Sequence, residues 1–396
     1  MKAIPYGYHW LDEEDIASVI RALRGPWITQ GPLVDRFEEK VAAAAGARFA
    51  VAFSSGTAAL HAACSAAGLG PGDEAVTTPM TFVATSNAVL ACGAAPVFAD
   101  IEAATLNLDP EQIPRRLSPK TKALLPVHFA GLPCRMERIR EIADRRGLLV
   151  IEDACHALGA QWRSSAGRWE KIGSCSHSDM TVFSFHPVKH ISTGEGGMVL
   201  THREDFRDRL RRLRHHGMSR TASEGDSAEE PWCQQMQEMG FNYRITDFQC
   251  ALGLSQMDKL ERFLERRRQI AERYLREFAG LGLLFQEADP ARTRHAWHLF
   301  AVRLPLESLR MDRKAAYRLL RRKGLGVNVH YLPVHLQPFY RKRFSYRPGA
   351  YPEAERYYDQ ALTLPLFPRM TEQETDTVIR CVHEMFEEAL ACNPCR

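Results

Sequence analysis

Thr181-Val-Phe-Ser184-Phe-His-Pro-Val-Lys189-His-Ile-Ser-Thr-Gly194-Glu-Gly-Gly197 is the stretch on which the reading of this chain turns. An apolar run with strand composition delivers Ser184, a lysine follows, and a glycine-rich turn closes the segment. Lysine is the side chain that condenses with a carbonyl, and it must shed its proton first. Burial and nearby positive charge are what lower its pKa. The competing reading is a surface lysine beside a turn, and the surrounding sequence decides between the two.

From about residue 50 to residue 201 short apolar runs alternate with helical stretches. The runs are Ala50–Phe53, Glu74–Thr77, Pro96–Ala99, Ala123–Val127, Leu148–Ile151, Thr181–Phe185 and Met198–Thr201; helix-like segments include Ala58–Ala67, Ala84–Ala91 and Met136–Arg146. This alternation predicts an α/β fold with a large, mostly parallel sheet covered by helices. Thr246–Phe278 reads as one long helix: Ala251, Leu254, Met257, Leu260 and Leu264 repeat at helical spacing, with Thr246 or Asp247 as cap. Past Gly280, a strand-like Trp297–Leu304 and a helical Lys314–Lys323 predict a smaller α+β domain. The expected division is 15–250 for the large domain and 251–396 for the small one, with 1–14 packing near the latter.

Ligands of such sheets sit beyond the carboxyl ends of the strands, and the chemistry-bearing motifs fall there. Val150-Ile-Glu-Asp153-Ala-Cys-His156 ends a predicted strand on a carboxylate 36 residues before Lys189. A pyridoxal enzyme needs such a carboxylate against its ring nitrogen, because the protonated ring is the electron sink. His156 stands where it can brace that carboxylate or meet a ring hydroxyl. Taken alone, Asp153 reads as a helix N-cap. Ser54-Ser-Gly56-Thr57 opens a helix, and free N–H groups at a helix start cradle phosphate. Pro79-Met-Thr-Phe82-Val-Ala-Thr85 offers an aromatic for the face of a planar ring. Gly240-Phe-Asn242-Tyr-Arg244 sets polar groups between two helical regions.

Composition narrows the classes. The chain has 396 residues, 45% hydrophobic and 25% charged, an ordinary globular mix. Lys and Arg (52) against Asp and Glu (48) leave +4, too small a balance for wholesale nucleic-acid binding. The densest basic run, Arg266 to Arg268, reads as a solvated helix face. No stretch approaches about 20 continuous apolar residues, so no membrane span is expected, and Met1–Asp15 lacks a secretory pattern. The ten cysteines are scattered in apolar or helical contexts, which suits reduced thiols in a cytoplasm. Cys392 and Cys395 form a C-x-x-C pair with no further ligands nearby, so no metal site is expected.

Together, S-G-T, T-F-V-A-T, E-D-A-C-H-A, F-S-F-H-P-V-K, G-E-G-G-M-V and G-F-N-Y-R resemble, in order and spacing, the DegT/StrS-type sugar aminotransferases. The likeness runs from Ile4-Pro-Tyr-Gly to Leu364-Pro-Leu. It implies a fold type I pyridoxal 5'-phosphate transferase. Residue by residue, it makes Lys189 the cofactor-binding lysine, Asp153 the partner of the ring nitrogen and His156 that of the ring hydroxyl. It assigns Gly56, Thr57 and Ser184 to the phosphate and Phe82 to the ring face. Asn242 would reach the phosphate of a neighbouring subunit's cofactor, which implies a homodimer with shared sites. Tyr6, Thr29, Arg244, His330 and Tyr331 match positions lining a nucleotide-sugar cleft. The bland alternatives are an Arg244–Asp247 pair and a satisfied interdomain His330.

The combination F-S-F-H-P-V-K-H-I-S-T-G-E-G-G with P-V-H-F-A-G and V-H-Y-L-P-V-H is most similar to the branch that makes UDP-4-amino-4,6-dideoxy-N-acetyl-β-L-altrosamine for pseudaminic acid. The expected reaction therefore takes an amino group from L-glutamate to C4 of a UDP-linked 4-keto sugar. A 3-keto or dTDP-linked acceptor stays open. Two stretches depart from the family pattern, Arg163–Lys171 and Ser219–Glu230, both expected to border the cleft. The related sugar dehydratases carry histidine at the lysine position, so Lys189 disfavours dehydration. A binding or regulatory protein on the same scaffold would show a broken catalytic set or an added domain; the chain shows neither.

Overall fold

The computed structural model describes residues 3–219, 232 and 234–391. Seven short strands, β1 (Phe49–Phe53), β2 (Glu74–Thr77), β3 (Ala95–Phe98), β4 (Thr121–Leu125), β5 (Leu149–Asp153), and, after a small hairpin of β6 (Gln161–Arg163) and β7 (Trp169–Lys171), β8 (Met180–Ser184) and β9 (Gly197–Thr201), build the fold. All but β6 and β7 form one sheet in the order β1-β9-β8-β5-β4-β2-β3. β2, β3, β4, β5 and β8 run parallel; β9 is antiparallel to both β8 and β1. The α/β architecture and the mostly parallel sheet are therefore as expected. Because β1, β2, β5 and β8 point the same way, the residues that follow them gather along one edge of the sheet.

Helices cover the sheet. α1 (Glu13–Arg24) and α2 (Pro32–Ala45) precede β1; α3 (Gly56–Ala66), α4 (Ala84–Ala91), α5 (Met136–Asp144) and α6 (Glu204–Arg214) lie between or after the strands. Ser55 caps α3 by accepting from the Ala58 N–H at 3.1 Å. The small residues of α3 let it lie close on the sheet, and β9 approaches its first turn: a Cβ on Gly197 would sit 2.4 Å from the Ser55 carbonyl oxygen. Glycine is thus required at the end of the glycine-rich turn by packing rather than by its torsion angle.

The long helix expected over 246–278 is two helices, α7 (Asp247–Met257) and α8 (Leu260–Glu277). Thr246 is the cap, in a capping box with Gln249. The break falls at Lys259, whose side chain is pulled onto Asp12 and Asp15 at the start of α1. Cys250 and Met257 of α7 join the core under the sheet, whereas Ile270 and Tyr274 of α8 join a second core with Phe300, Leu364 and Ile4. A continuous hydrophobic stripe hides such a break because both halves keep helical spacing.

The Arg266–Arg268 run is not a uniformly solvated face either. Arg266 and Arg268 reach carboxylates outside, but Arg267 is 0% exposed. The hairpin β6–β7 pairs with Thr293–Arg294. Among the described residues no helix is long and apolar enough to cross a membrane. Cys392, Cys395 and most of the Ser219–Glu230 stretch lie outside the described residues.

Candidate active site

A cavity of about 480 Å³ opens at the carboxyl edge of the sheet. The segments that line it follow strands or come from the N-terminus and the C-terminal part. The end of β1 brings Ser55, Gly56 and Thr57; the loop after β2 brings Thr81 and Phe82; β5 brings Asp153, Cys155 and His156. β8 and the loop beyond it bring Ser184, His186, Lys189 and Glu195, and the far wall is Tyr6, His298, Asn328, His330 and Tyr331. Ten of the thirteen residues singled out in the sequence thus share one cavity: Tyr6, Gly56, Thr57, Phe82, Asp153, His156, Ser184, Lys189, His330 and Tyr331.

Asp153 caps no helix; a turn follows it. It is buried, its Oδ2 accepts from the Thr85 hydroxyl at 2.6 Å and its Oδ1 from the Cys155 N–H at 3.1 Å. Lys189 lies across the cavity, half-buried, with Nζ 3.5 Å from His298 Nε2. Burial chiefly, with Arg267 behind it, holds the Lys189 amine below the usual lysine range, against the opposing pull of Cys155 and Asp153. A lysine so placed is a nucleophile.

His156 is buried and its Nε2 lies 3.2 Å from the Tyr331 hydroxyl. Burial pushes the tyrosine up and the histidine well down. Tyr331 therefore keeps its proton beside a neutral imidazole, and with the tyrosine as donor the histidine proton lies on Nδ1. His156 Nδ1 is buried without a partner among the described residues, and so is His298 Nδ1. His298 stacks obliquely on His156, ring centroids 4.3 Å apart. His330 binds Thr363 Oγ1 through Nδ1 at 2.9 Å, and burial pushes it down to about 4. It is thus both a satisfied residue and a cavity wall.

Phe82 is 56% exposed at the rim, with the Tyr331 ring 5.9 Å away. Across from it, the first turn of α3 meets Ser184 so closely that a Cβ on Gly56 would fall 2.8 Å from Ser184 Cβ. The first N–H groups of α3 have no partner within the helix. An anion-binding turn, a desolvated amine, a buried carboxylate and a free aromatic face thus surround one space. Two histidine nitrogens beside it lack partners. That donor set fits pyridoxal phosphate: each polar part of the cofactor has a counterpart.

Three expected residues lie elsewhere. Thr29 is exposed and bridges to Thr246. Asn242 is exposed and bridges to His215. Arg244 Nη1 lies 2.8 Å from His215 Nδ1, in a separate basic hollow with Arg211 and Arg214. The Arg244–Asp247 pair does not form; Asp247 instead accepts from the N–H groups of Gly31 and Leu33. Nor does the Arg163–Lys171 hairpin line the cavity. Sequence reasoning missed Thr85, His298, Asn328 and Glu195. His298 had a faint signal, a histidine opening an otherwise apolar strand.

The fold and this constellation define an α/β transferase with its site at the strand ends. The chain belongs to the DegT/DnrJ/EryC1/StrS aminotransferase family, whose model matches residues 9–383. It is 39% identical over 387 residues to the spore coat polysaccharide biosynthesis protein SpsC of Bacillus subtilis (strain 168), covering 98% of each chain. It superposes on the putative sugar aminotransferase Spr1654 from Streptococcus pneumoniae in its PMP form with a TM-score of 0.90. That pair is 27% identical, with 98% of this chain and 100% of that one covered. The Helicobacter pylori aminotransferase PseC, involved in the biosynthesis of pseudoaminic acid, gives a TM-score of 0.87 at 27% identity, over 98% of this chain and 100% of that one.

Proposed function

We propose that this chain, a pyridoxal phosphate-dependent sugar aminotransferase, moves an amino group from L-glutamate to C4 of a UDP-linked 4-keto-6-deoxy-N-acetyl hexose. The observation that carries the reading is Lys189, desolvated and facing the buried Asp153 across one cavity. Bound there, pyridoxal phosphate supplies an aldehyde that condenses with amines and a protonated ring that draws electrons from carbon. Asp153, tied at both oxygens, would hold a proton on the ring nitrogen. The α3 turn at Gly56 and Thr57, with Ser184, would hold the phosphate, Phe82 would lie against the ring, and His156 Nδ1 would face the ring hydroxyl. Lys189 Nζ would carry the proton to and from the reacting carbon.

Tyr6, His330 and Tyr331, on the wall away from β8, bind the sugar nucleotide in this reading. The likeness to PseC and the segment 324–335 favour the pseudaminic acid route; a 3-keto or dTDP-linked acceptor is the alternative. Asn242 and Arg244 are accessible but outside their own chain's cavity, which fits a homodimer whose second copy contributes them. We divide the chain near 250/251, α7 itself still packing in the first core through Met257, and place 1–14 beside the second part because Ile4 packs in the second core. Free thiols at seven cysteines among the described residues suit a cytoplasmic enzyme.

Borohydride reduction of the purified yellow protein followed by peptide mapping is expected to find the pyridoxyl group on Lys189; a label on another lysine overturns the assignment. Amino transfer from glutamate across UDP- and dTDP-linked 3-keto and 4-keto sugars, with product regiochemistry by NMR, tests the substrate.

A further inference from the structure

Arg267 is a buried cation without a counter-ion. Its side chain is 0% exposed and makes no ion pair among the described residues; burial is the one influence on its charge. Its partners are backbone carbonyls. Nη1 donates towards the oxygens of Leu366 at 3.1 Å, Trp297 at 3.2 Å and His298 at 3.3 Å, and Nη2 towards that of Val188 at 3.4 Å. Nε has no partner among the described residues. Burying a charge so incompletely paired is costly, and a helix of this amphipathic kind has an easy alternative in an apolar residue.

The carbonyls identify what the charge is for. Val188 immediately precedes Lys189, and His298 carries the ring that stands 3.5 Å from Lys189 Nζ. Leu366 follows the strand Ala361–Leu364 of the second core. Arg267 therefore joins three chain segments directly behind the reactive amine. A guanidinium suits this place because its planar fork spans several backbone acceptors at once.

We propose that Arg267 is a positioning residue that pins the backbone at Val188 and His298 and sets a positive charge behind the Lys189 amine. The inference rests on the reading of Lys189 given above. The other groups facing the amine do not do this work. Asp153 and Cys155 favour the ammonium form. His156, His186, His190, His298 and His330 are all held below the usual histidine range by burial, so they add little positive charge near neutral pH. Burial pushes Arg267 itself down to about 9, so it remains charged at neutrality. Besides burial, Arg267 is the group opposing the two that favour protonation.

The test is trace acetylation of the full-length chain, freed of cofactor, with acetic anhydride over the neutral and alkaline range. The reagent takes neutral amines, and mass spectrometry of the Lys189 peptide gives its titration curve. Wild-type Lys189 is expected to label well below the pH at which surface lysines do. Arg267→Gln, which keeps amide donors but no charge, moves the curve up by about one pH unit, a roughly tenfold slower labelling at neutrality. Arg267→Lys, which keeps the charge, stays with wild type. A folded Gln variant whose curve superimposes on wild type overturns the proposal. So does an equal displacement in the Gln and Lys variants, the mark of lost packing. A wild-type Lys189 that labels like a surface lysine overturns it without any variant. Borohydride mapping reads the attachment site and acetylation reads the free amine, so failure of the parent reading shows separately.

Discussion

The Thr85 hydroxyl has one proton and three oxygens around it: Asp153 Oδ2 at 2.6 Å, Thr81 Oγ1 at 2.8 Å and the Phe82 carbonyl at 3.3 Å. The carboxylate, closest and charged, takes the proton, and Thr81 donates in turn. Asp153 thereby keeps one orientation and its remaining lone pairs for the cavity. We expect Asp153→Asn to fold but to lose at least about 100-fold in turnover, because a neutral amide does not stabilise a protonated ring nitrogen. Thr85→Val removes one charge-assisted bond and is expected to cost about tenfold. Steady-state rates beside melting temperatures check both, and near wild-type turnover in Asp153→Asn would reduce that residue to a structural one. Asp153 was legible as a carboxylate ending an apolar run. Thr85 was not, because it acts from a different strand's loop and its own motif drew the eye to Phe82.

At the scale of elements, the turn between α7 and α8 shows what periodicity leaves out. Lys259 bonds Asp12 and Asp15, and Asp15 also accepts from Ser255 Oγ at 2.6 Å and Gln256 Nε2 at 2.8 Å. Asp15 is 1% exposed, so the cluster locks the N-terminus of α1 onto the junction of the two helices. Asp15→Ala leaves Ser255 Oγ without its acceptor and takes one acceptor each from Gln256 and Lys259, which keep Trp10 O and Asp12; it is expected to destabilise the fold by about 2 kcal/mol. Denaturant unfolding measures this, and a loss within about 0.5 kcal/mol, typical of surface changes, would show the cluster to be loosely held. The capping residue Thr246 was readable because its partner Gln249 is local; the ions that break the helix come from 240 or more residues away in sequence.

For the whole molecule, the fold buries a set of uncharged histidines, of which His156, His298 and His330 line the cavity. Burial pushes His330 to about 4 and His295 to about 3, and holds His156, His190 and His298 well below the usual value. Unfolded, each takes up a proton near pH 6.5. The unfolded chain therefore binds more protons than the folded one below that pH, and stability falls as the pH drops. The window runs from about 6.5 down to about 4 for His330 and to about 3 for His295. Each such group contributes up to about 1.4 kcal/mol per pH unit. Unfolding free energies are expected to decline steadily once the pH passes below about 6.5; a flat profile down to the carboxylate range would mean that these rings already carry protons in the folded state.

By itself the sequence determined the α/β class, most of the sheet strands to within a residue or two, and a lysine, a carboxylate and a helix-start turn that the structure brings to one cavity. These are local facts: apolar runs bounded by turns, and reactive residues placed where strands end. Only the tertiary structure decided which residues meet. It brought Tyr6, His298, His330 and Tyr331 to the wall opposite β8, left Asn242 and Arg244 outside their own chain's cavity, and turned the middle of a seemingly solvated basic run inward. The physical reason is that a side chain's charge state and partners depend on what is buried beside it. Arg267 meets Val188 and Leu366 across separations of 79 and 99 residues, which no spacing rule within a helix encodes.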